Sequence, residues 1–326
     1  MNKNAYIFTG EKYMIKRGVE KLKASLGIEY PEMNITEFKT MPETQDIIKA
    51  CDCVPFLSPK RLVIIAECGV LTSKGSADEA NKILSYIGRM PETAVLAMCS
   101  EEPPDKRRSL FKEIQQKGGV YEFPAPNAAA CAGFVTERAK ELGVKISLKT
   151  ASELVSIAGC DYFTLENETA KLAAYCGYGE ITSGDVRACA AKSLEYNVFE
   201  LHGLLMRGEA ERARRLLEEI LRMERPEGLI GLIARKFRDM LKARSMNDSG
   251  YPPSKIAALL GVSGYAADMI TKDAKKFTSG ELIDALKTLA DVDYSMKSGE
   301  KDVDFALSEA LVLIYGLGNI KKAGVP

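Results

Sequence analysis

The sequence predicts an α/β domain followed by two helical domains, and three observations support this fold class. Over the first 125 residues, short apolar runs alternate with helical patterns. Beyond residue 124 the strand pattern disappears, and short amphipathic helices ended by glycines or polar turns follow. From residue 198 the helices become longer. We therefore predict three domains, at residues 1–125, 126–195 and 196–326.

The first domain alternates strands with helices in the way that a parallel sheet requires. Apolar runs predict strands at AYIFTG, NITEF, RLVIIAE, TAVLAMCS and VYEFP. Apolar residues at helical spacing predict helices at residues 13–26, 44–53, 77–89 and 105–117. Each strand–helix–strand unit is a crossover, so the sheet should be mostly parallel with helices on its faces.

Two sets of helical patterns predict the rest of the chain. The short ones are AAACAGFVTERAKELG, SLKTASELVSIAG, YFTLENETAKLAAYCG and TSGDVRACAAKS. The longer ones include GEAERARRLLEEILRM, PEGLIGLIARKFRDMLKARSM, SGELIDALKTLADVDYSMKSG and DVDFALSEALVLIYGLG. They predict a small helical domain and then a larger one.

Composition excludes several classes of protein. The 45 basic residues balance 45 acidic ones, which argues against binding nucleic acid through a field over the whole surface. No run approaches the ~18 apolar residues of a membrane span, and the start resembles no signal peptide, so we expect a cytoplasmic protein without membrane contact. The eight cysteines show no C-x-x-C spacing, and His202 has no identifiable acid partner in sequence. We expect no metal and no cofactor.

The first strand, turn and helix lie where a nucleotide-binding domain has its phosphate loop. Aligned with G-x-x-x-x-G-K-[ST], Gly10 matches the first glycine and Lys16 the lysine. However, Ile15 replaces the second glycine and Arg17 replaces the hydroxyl residue that holds magnesium. The pattern predicts a degenerate site.

The strand RLVIIAE lacks a second residue that a nucleotide-binding site of this type requires. In ATPases of this type the strand ends in Asp-Glu, and the Asp helps to hold magnesium. Here Ala66 stands in place of the Asp and only Glu67 remains. The sequence also has no G-x-S-x-G or H-E-x-x-H motif. We therefore predict no intrinsic catalysis and no catalytic residues, and a protein that works through its surfaces.

Three stretches together resemble the delta-subunit family of the bacterial DNA polymerase III clamp loader. They are YIFTGEKYMIKRGVEKL, VPFLSPKRLVIIAE, and the last third from FELHGLLMRGEAERARRLLEEIL to DVDFALSEALVLIYGL. The resemblance implies an AAA+-like architecture: a RecA-like domain, a helical lid domain and a C-terminal collar domain. It also implies a subunit that opens the sliding clamp (the beta subunit) for loading on primed DNA in replication without hydrolysing ATP. The implied partners in the hetero-oligomer are the gamma/tau and delta prime subunits, contacted through the collar.

The same resemblance implies an apolar wedge that binds the clamp. The matching positions are Phe56 and Leu57, preceded by Pro55 where other members have a leucine. Either Leu57 or Pro55 is then the second anchor beside Phe56. The alternative is that Phe56 and Leu57 fold back onto the core between helix and strand.

Two other functions remain as alternatives. The first is an active AAA+ ATPase. The second is a helix-turn-helix DNA-binding regulator, because KIAALLGVSGYAADMI has the A-x-x-x-G-x-S rhythm of that motif. In addition, Lys297 and Lys301, in the turn YSMKSGEK, are candidates for contact with DNA beneath the collar.

Overall fold

The computed structural model describes residues 4–223, 225–262, 264–300 and 303–316. These residues form two compact units. The first unit comprises the residues up to Val155 and Cys160–Ser183, and the second comprises Ser156–Gly159 and the residues from Gly184 onward. The division into three domains at residues 125 and 195 stays a prediction.

The first unit contains a parallel sheet whose strands lie where the sequence predicts them. The strands of this sheet are β1 (Ala5–Gly10), β2 (Ile35–Phe38), β3 (Arg61–Ile65), β4 (Ala94–Ser100) and β5 (Val120–Phe123). They pair in the order β2-β3-β4-β1-β5, and every pair is parallel. The predicted α/β fold class is therefore confirmed.

Helices cover both faces of this sheet, which explains the apolar runs of β3 and β4. They are α1 (Lys12–Ser25), α3 (Thr44–Asp52), α4 (Ala77–Ile87) and α5 (Ser109–Gln116), whereas the four-residue α2 (Pro31–Asn34) leads directly into β2. In β3, Leu62 and Ile64 belong to the core under α1, whereas Val63 and Ile65 belong to the core under α3, α4 and α5. This alternation fixes β3 in the sheet and so fixes the segment that precedes it.

Two details of the first domain differ from the prediction. The sequence does not predict α2, which is only four residues long and therefore has no helical period. The helix predicted at residues 105–117 begins at Ser109, because Asp105 instead forms a turn in which its carboxylate accepts a hydrogen bond from the backbone N–H of Arg107.

After the sheet come α6 (Ala128–Glu141), α7 (Leu148–Ala158), α8 (Tyr162–Tyr175) and α9 (Ser183–Cys189). The expectation that no strand follows residue 124 is wrong. Two residues each of β6 (Lys145–Ile146) and β7 (Glu180–Ile181) form a parallel pair. A pair this short leaves no alternating pattern in the sequence.

The second unit is built largely from helices that the sequence predicts, although the first of them, at residues 194–206, has no predicted counterpart. They are α10 (Leu194–Met206), α11 (Ala210–Met223), α12 (Pro226–Asp248), α13 (Pro253–Leu260), α14 (Gly264–Ala274), α15 (Ser279–Ser298) and α16 (Val303–Ile314). The apolar faces of all of them except α13 share one core around Phe237 and Met240 of α12, neither of which is exposed. A reciprocal capping box between Thr278 and Glu281 fixes the start of α15.

His202 is buried in this unit between two polar partners. Its Nδ1 lies 2.5 Å from the hydroxyl of Tyr315, and its Nε2 lies 3.2 Å from a carboxylate oxygen of Asp273. The sequence-based statement that His202 lacks an acid partner is therefore wrong. Asp273 is that partner, and it could not be identified from the local sequence because it lies 71 residues away in the chain. Burial lowers the pKa of His202, against the opposing effect of the hydrogen bond to Asp273.

We expect the second unit to lose stability in mild acid. In the unfolded chain His202 has the ordinary histidine pKa of 6.5, and in the folded chain its pKa is lower, so the unfolded chain binds more protons below pH 6.5. The unfolding free energy should therefore rise with pH in the window just below 6.5, and above it this group should add no pH dependence. Denaturant titrations between about pH 5 and 8 measure this. His202→Gln should be less stable at neutral pH but show a shallower slope; an unchanged slope would contradict the assignment.

None of the described helices combines the length and the apolar character that crossing a membrane demands. Among the described residues, no group of three His, Cys, Asp or Glu side chains is placed to bind a metal ion.

Candidate functional site

The connection between α3 and β3, residues 53–60, exposes three apolar side chains; we call it the docking loop. The exposed fractions are 82% for Val54, 50% for Phe56 and 68% for Leu57, whereas Pro55 is partly buried. Phe56 and Leu57 therefore do not fold back onto the core. Of the two candidates for the second anchor, Leu57 presents the more exposed side chain.

Asn34, at the end of α2, holds the docking loop at Phe56 through both backbone groups. Its Oδ1 accepts a hydrogen bond of 2.7 Å from the N–H of Phe56, and its Nδ2 donates one of 2.8 Å to the carbonyl of Phe56. Nδ2 also donates to the carbonyl of Glu29 at 2.7 Å. Asn34 is fully buried, and breaking such bonds away from water leaves unsatisfied groups. The position of Phe56 is therefore fixed by a residue 22 positions earlier.

The segment that carries Asn34 also adds apolar surface next to the docking loop. We call residues 30–34 the α2 segment. The ring of Tyr30 packs edge-to-face on the ring of Phe56, with centroids 5.8 Å apart and planes at 73°. Tyr30 and Met33 expose 46% and 54% of their surface. The contact between the two rings thus joins the docking loop and the α2 segment into one partly exposed apolar surface.

The backbone of Leu57 is strained. Its φ of +47° lies in the left-handed region, which costs a residue with a Cβ about 1–2 kcal/mol. Bonds around the neighbouring Ser58 hold this conformation: its hydroxyl donates to the carbonyl of Lys60 and accepts from the N–H of Glu29. A strained, exposed leucine in an otherwise well-bonded turn is a feature that often accompanies a binding role.

No phosphate loop separates β1 from α1. β1 ends at Gly10 and α1 begins at Lys12, so one residue connects them. That residue, Glu11, caps the helix: its carboxylate accepts hydrogen bonds from the N–H groups of Tyr13 at 3.0 Å and Met14 at 2.8 Å. A phosphate would need these donors and would be repelled by the carboxylate. The helix start therefore already holds an anionic group of its own.

The residues that replace the phosphate-loop pattern have structural contacts instead. Ile15 is buried in the core between α1 and the sheet. Arg17 forms ion pairs with Glu137 and Glu141 of α6, and its guanidinium lies over the ring of Phe134. Both positions therefore stabilise the first unit, whereas the phosphate-loop pattern has a glycine and a magnesium-binding hydroxyl there.

Lys16 and Glu67 both line one cleft, but Gly10 is not among the residues that line it. The cleft has a volume of about 430 Å³, and Lys12 and Glu101 also line it. Lys12 forms an ion pair with Glu101, with Nζ and Oε1 3.1 Å apart, so one cationic side chain of the cleft already has a carboxylate partner. The N–H of Ala66, which stands at the Asp position, donates to the carbonyl of Phe38 at 2.8 Å.

Comparisons with known proteins identify the family. The family described as "DNA polymerase III, delta subunit" matches residues 6–123, and the family of the delta subunit's C-terminal domain matches residues 195–314. Together the two matches span well over half of the chain. The chain belongs to the DNA polymerase III delta-subunit family. The resemblance stated from the sequence is thereby confirmed.

Two relatives show how far the similarity extends. The DNA polymerase III subunit delta of Bacillus subtilis (strain 168) is 26% identical over 310 residues, which are 92% of this chain and 89% of the relative. The structure of the Bacillus subtilis DNA clamp loader delta protein aligns with a TM-score of 0.69 at 24% identity. That alignment covers 96% of this chain and 95% of the other. This delta-family chain therefore shares the fold along nearly its whole length.

The predicted DNA contact of this delta-family chain falls partly outside the described residues. Lys297 lies in the last turn of α15, where its Nζ pairs with Asp293 at 2.7 Å. Lys301 lies outside the described residues. The contact of Lys297 and Lys301 with DNA stays a prediction.

The stretch resembling a helix-turn-helix forms two consecutive helices in this delta-family chain. α13 ends at Gly261, whose φ of +68° suits a left-handed cap, and α14 begins at Gly264. Ile256 and Ala257 of α13 and Ala267 of α14 are buried. The packing of these buried residues is sufficient to explain the A-x-x-x-G-x-S spacing of the stretch without a role in binding DNA.

Proposed function

We propose that this chain is the clamp-opening subunit of a bacterial replicative clamp loader. Phe56 and Leu57 insert into an apolar pocket of the sliding clamp. The observation that carries the proposal is the exposure of these two side chains on a loop whose backbone is fixed by buried hydrogen bonds. A compact apolar pair held in place has the form of a binding hot spot.

Opening the ring requires more than binding to it. A subunit shifts the clamp toward the open form only by its difference in affinity for the open and closed forms. Phe56 and Leu57 are 50% and 68% exposed in the free chain, so burying their exposed parts supplies about 2–4 kcal/mol in total. This is enough to shift such an equilibrium substantially if the pocket is complementary only in the open ring. The side chains therefore act as a wedge whose effect depends on the shape of the pocket.

The remaining partners follow from the family. We infer that the second unit supplies the collar surface that contacts the gamma/tau and delta prime subunits, in an assembly that holds primed DNA in the cytoplasm. Exposed apolar side chains on its helices, such as Tyr294 and Leu313, are consistent with such contacts.

Two measurements on the purified chain test the proposal. The first is its retention on immobilised sliding clamp from the same organism, and the second is its ability to release clamp already closed around circular DNA. We expect stable binding and accelerated release without ATP. Failure to bind the clamp would reject the proposal, and binding without release would reject the opening step.

We also expect the isolated chain to hydrolyse no ATP. The helix start is occupied by the Glu11 carboxylate, and the phosphate and magnesium positions are lost at Ile15, Arg17 and Ala66. A phosphate-release assay with ATP and Mg²⁺, alone and with clamp present, measures this directly. Hydrolysis that disappears in a Lys16→Ala variant would instead support the active ATPase alternative.

A further inference from the structure

We propose that the α2 segment is part of the clamp-docking surface, with Asn34 as a positioning residue for Phe56 and Tyr30 as an additional aromatic contact. This inference rests on the proposed function, because it names further residues of the same site. The partner is the apolar pocket of the clamp that receives Phe56.

The first step of the argument concerns Asn34. A flexible loop loses conformational freedom when its side chains enter a pocket, and this loss weakens binding. Asn34 removes much of that cost in advance because it binds both the N–H and the C=O of Phe56. Its third bond, to Glu29, fixes the amide itself. The docking loop is therefore pre-organised at the residue that enters the pocket.

The second step concerns Tyr30. Its ring contacts the ring of Phe56, yet 46% of its surface remains exposed. An edge-to-face neighbour restricts the orientation of Phe56 and continues the apolar face beyond the loop. Tyr30 has a φ of +49°, so a second bulky residue at this surface is also held in the left-handed region. Tyr30 therefore lies at the edge of any pocket that encloses Phe56.

A double-mutant cycle separates positioning from general stability. Clamp affinity is measured for the wild type, Asn34→Ala, Phe56→Ala and the double variant. Asn34→Ala should weaken binding roughly tenfold in the wild type but less than about twofold once Phe56 is absent, because positioning acts only through Phe56. Equal losses in both backgrounds, or no loss in the wild type, would overturn the inference.

Thr169→Ala is the matched control for loss of a buried polar group. Thr169 is fully buried in the same unit, and its hydroxyl donates to the carbonyl of Leu165 within α8. This variant should lower the melting temperature while leaving clamp affinity unchanged. If Thr169→Ala weakens binding as much as Asn34→Ala does, general destabilisation explains both and the inference fails.

Tyr30→Ala keeps the inference testable if Asn34→Ala does not fold. Tyr30 is partly exposed, so the variant should fold, and it should weaken binding about threefold, again only when Phe56 is present. Unchanged clamp affinity in Tyr30→Ala would show that Tyr30 is not part of the clamp-docking surface. If Phe56→Ala and Leu57→Ala both bind like the wild type, the proposed function fails with the inference. If Phe56→Ala alone binds like the wild type, or if it loses affinity and Tyr30→Ala and Asn34→Ala do not, only the inference fails.

Discussion

Phe56→Ala should weaken binding to the sliding clamp by about 10- to 100-fold while the fold is retained. Phe56 is 50% exposed in the free chain, so its truncation leaves no buried cavity. In the complex the lost burial of the exposed half of the ring, together with the cavity left in the pocket, costs about 1.5–3 kcal/mol. Equilibrium binding to immobilised clamp, with melting temperature as a check on folding, measures the effect.

The same experiment decides which neighbour of Phe56 is the second anchor. Leu57 exposes 68% of its surface, whereas Pro55 is partly buried against the chain. We therefore expect Leu57→Ala to weaken binding about tenfold and Pro55→Ala to weaken it less than about twofold. The reverse order would assign the role to Pro55.

Two controls separate binding from folding. Tyr175→Ala truncates an aromatic residue of the same unit that is 59% exposed but lies outside the site, and it should leave clamp affinity unchanged. Leu57→Gly removes the side chain and also the left-handed strain at φ +47°, so it should lose affinity without losing stability. Wild-type affinity in both Phe56→Ala and Leu57→Ala would reject the wedge.

The parts of the fold that the sequence predicts are those decided by neighbouring residues. Continuous apolar runs such as RLVIIAE predict strands because both faces of the sheet are covered, and helix periods are read within one segment. The position of the docking loop between α3 and β3 is predictable for the same reason. The short α2 and the β6–β7 pair are not predictable in this way, because neither is long enough to show a period.

The environment of the site could not be predicted from the sequence. Asn34 contacts Phe56 only because the sheet places β2 beside β3, which brings together residues 22 positions apart. Nothing in the letters MNITEF distinguishes this asparagine from a surface one, and Tyr30 likewise has no local signal. Val54, which is more exposed than Phe56 and Leu57, carries no pattern of its own. Such contacts depend on strand order, which a local pattern does not encode.

The same limit applies to His202. Its partners, Asp273 and Tyr315, lie 71 and 113 residues away in the chain. The interpretation of His202 as a structural residue agrees with its burial in an aromatic cluster with Phe237. The identity of its acid partner depends on how α10 packs beside α14.

Gly10→Ala should destabilise the first unit by more than about 3 kcal/mol. Gly10 has a φ of +110°, which residues with a Cβ rarely adopt, and a Cβ there would overlap the carbonyl oxygen of Phe123. That carbonyl accepts the N–H of Glu11 at 2.9 Å, so it cannot move without breaking the end of the β1–β5 pair. Chemical denaturation monitored by circular dichroism measures the loss.

The matched control is Gly27→Ala, and the comparison decides why Gly10 is a glycine. Gly27 also has a positive φ, +58°, but a Cβ there would meet no atom within 4 Å, so its replacement should cost only about 1 kcal/mol. In a phosphate loop the first glycine lets the backbone approach the nucleotide. If Gly10 were kept only for that purpose, Gly10→Ala would cost as little as Gly27→Ala. A much larger loss in the absence of nucleotide would show instead that the glycine serves the packing of β1 against β5, and that this position is required by the fold even where the nucleotide pattern around it is lost.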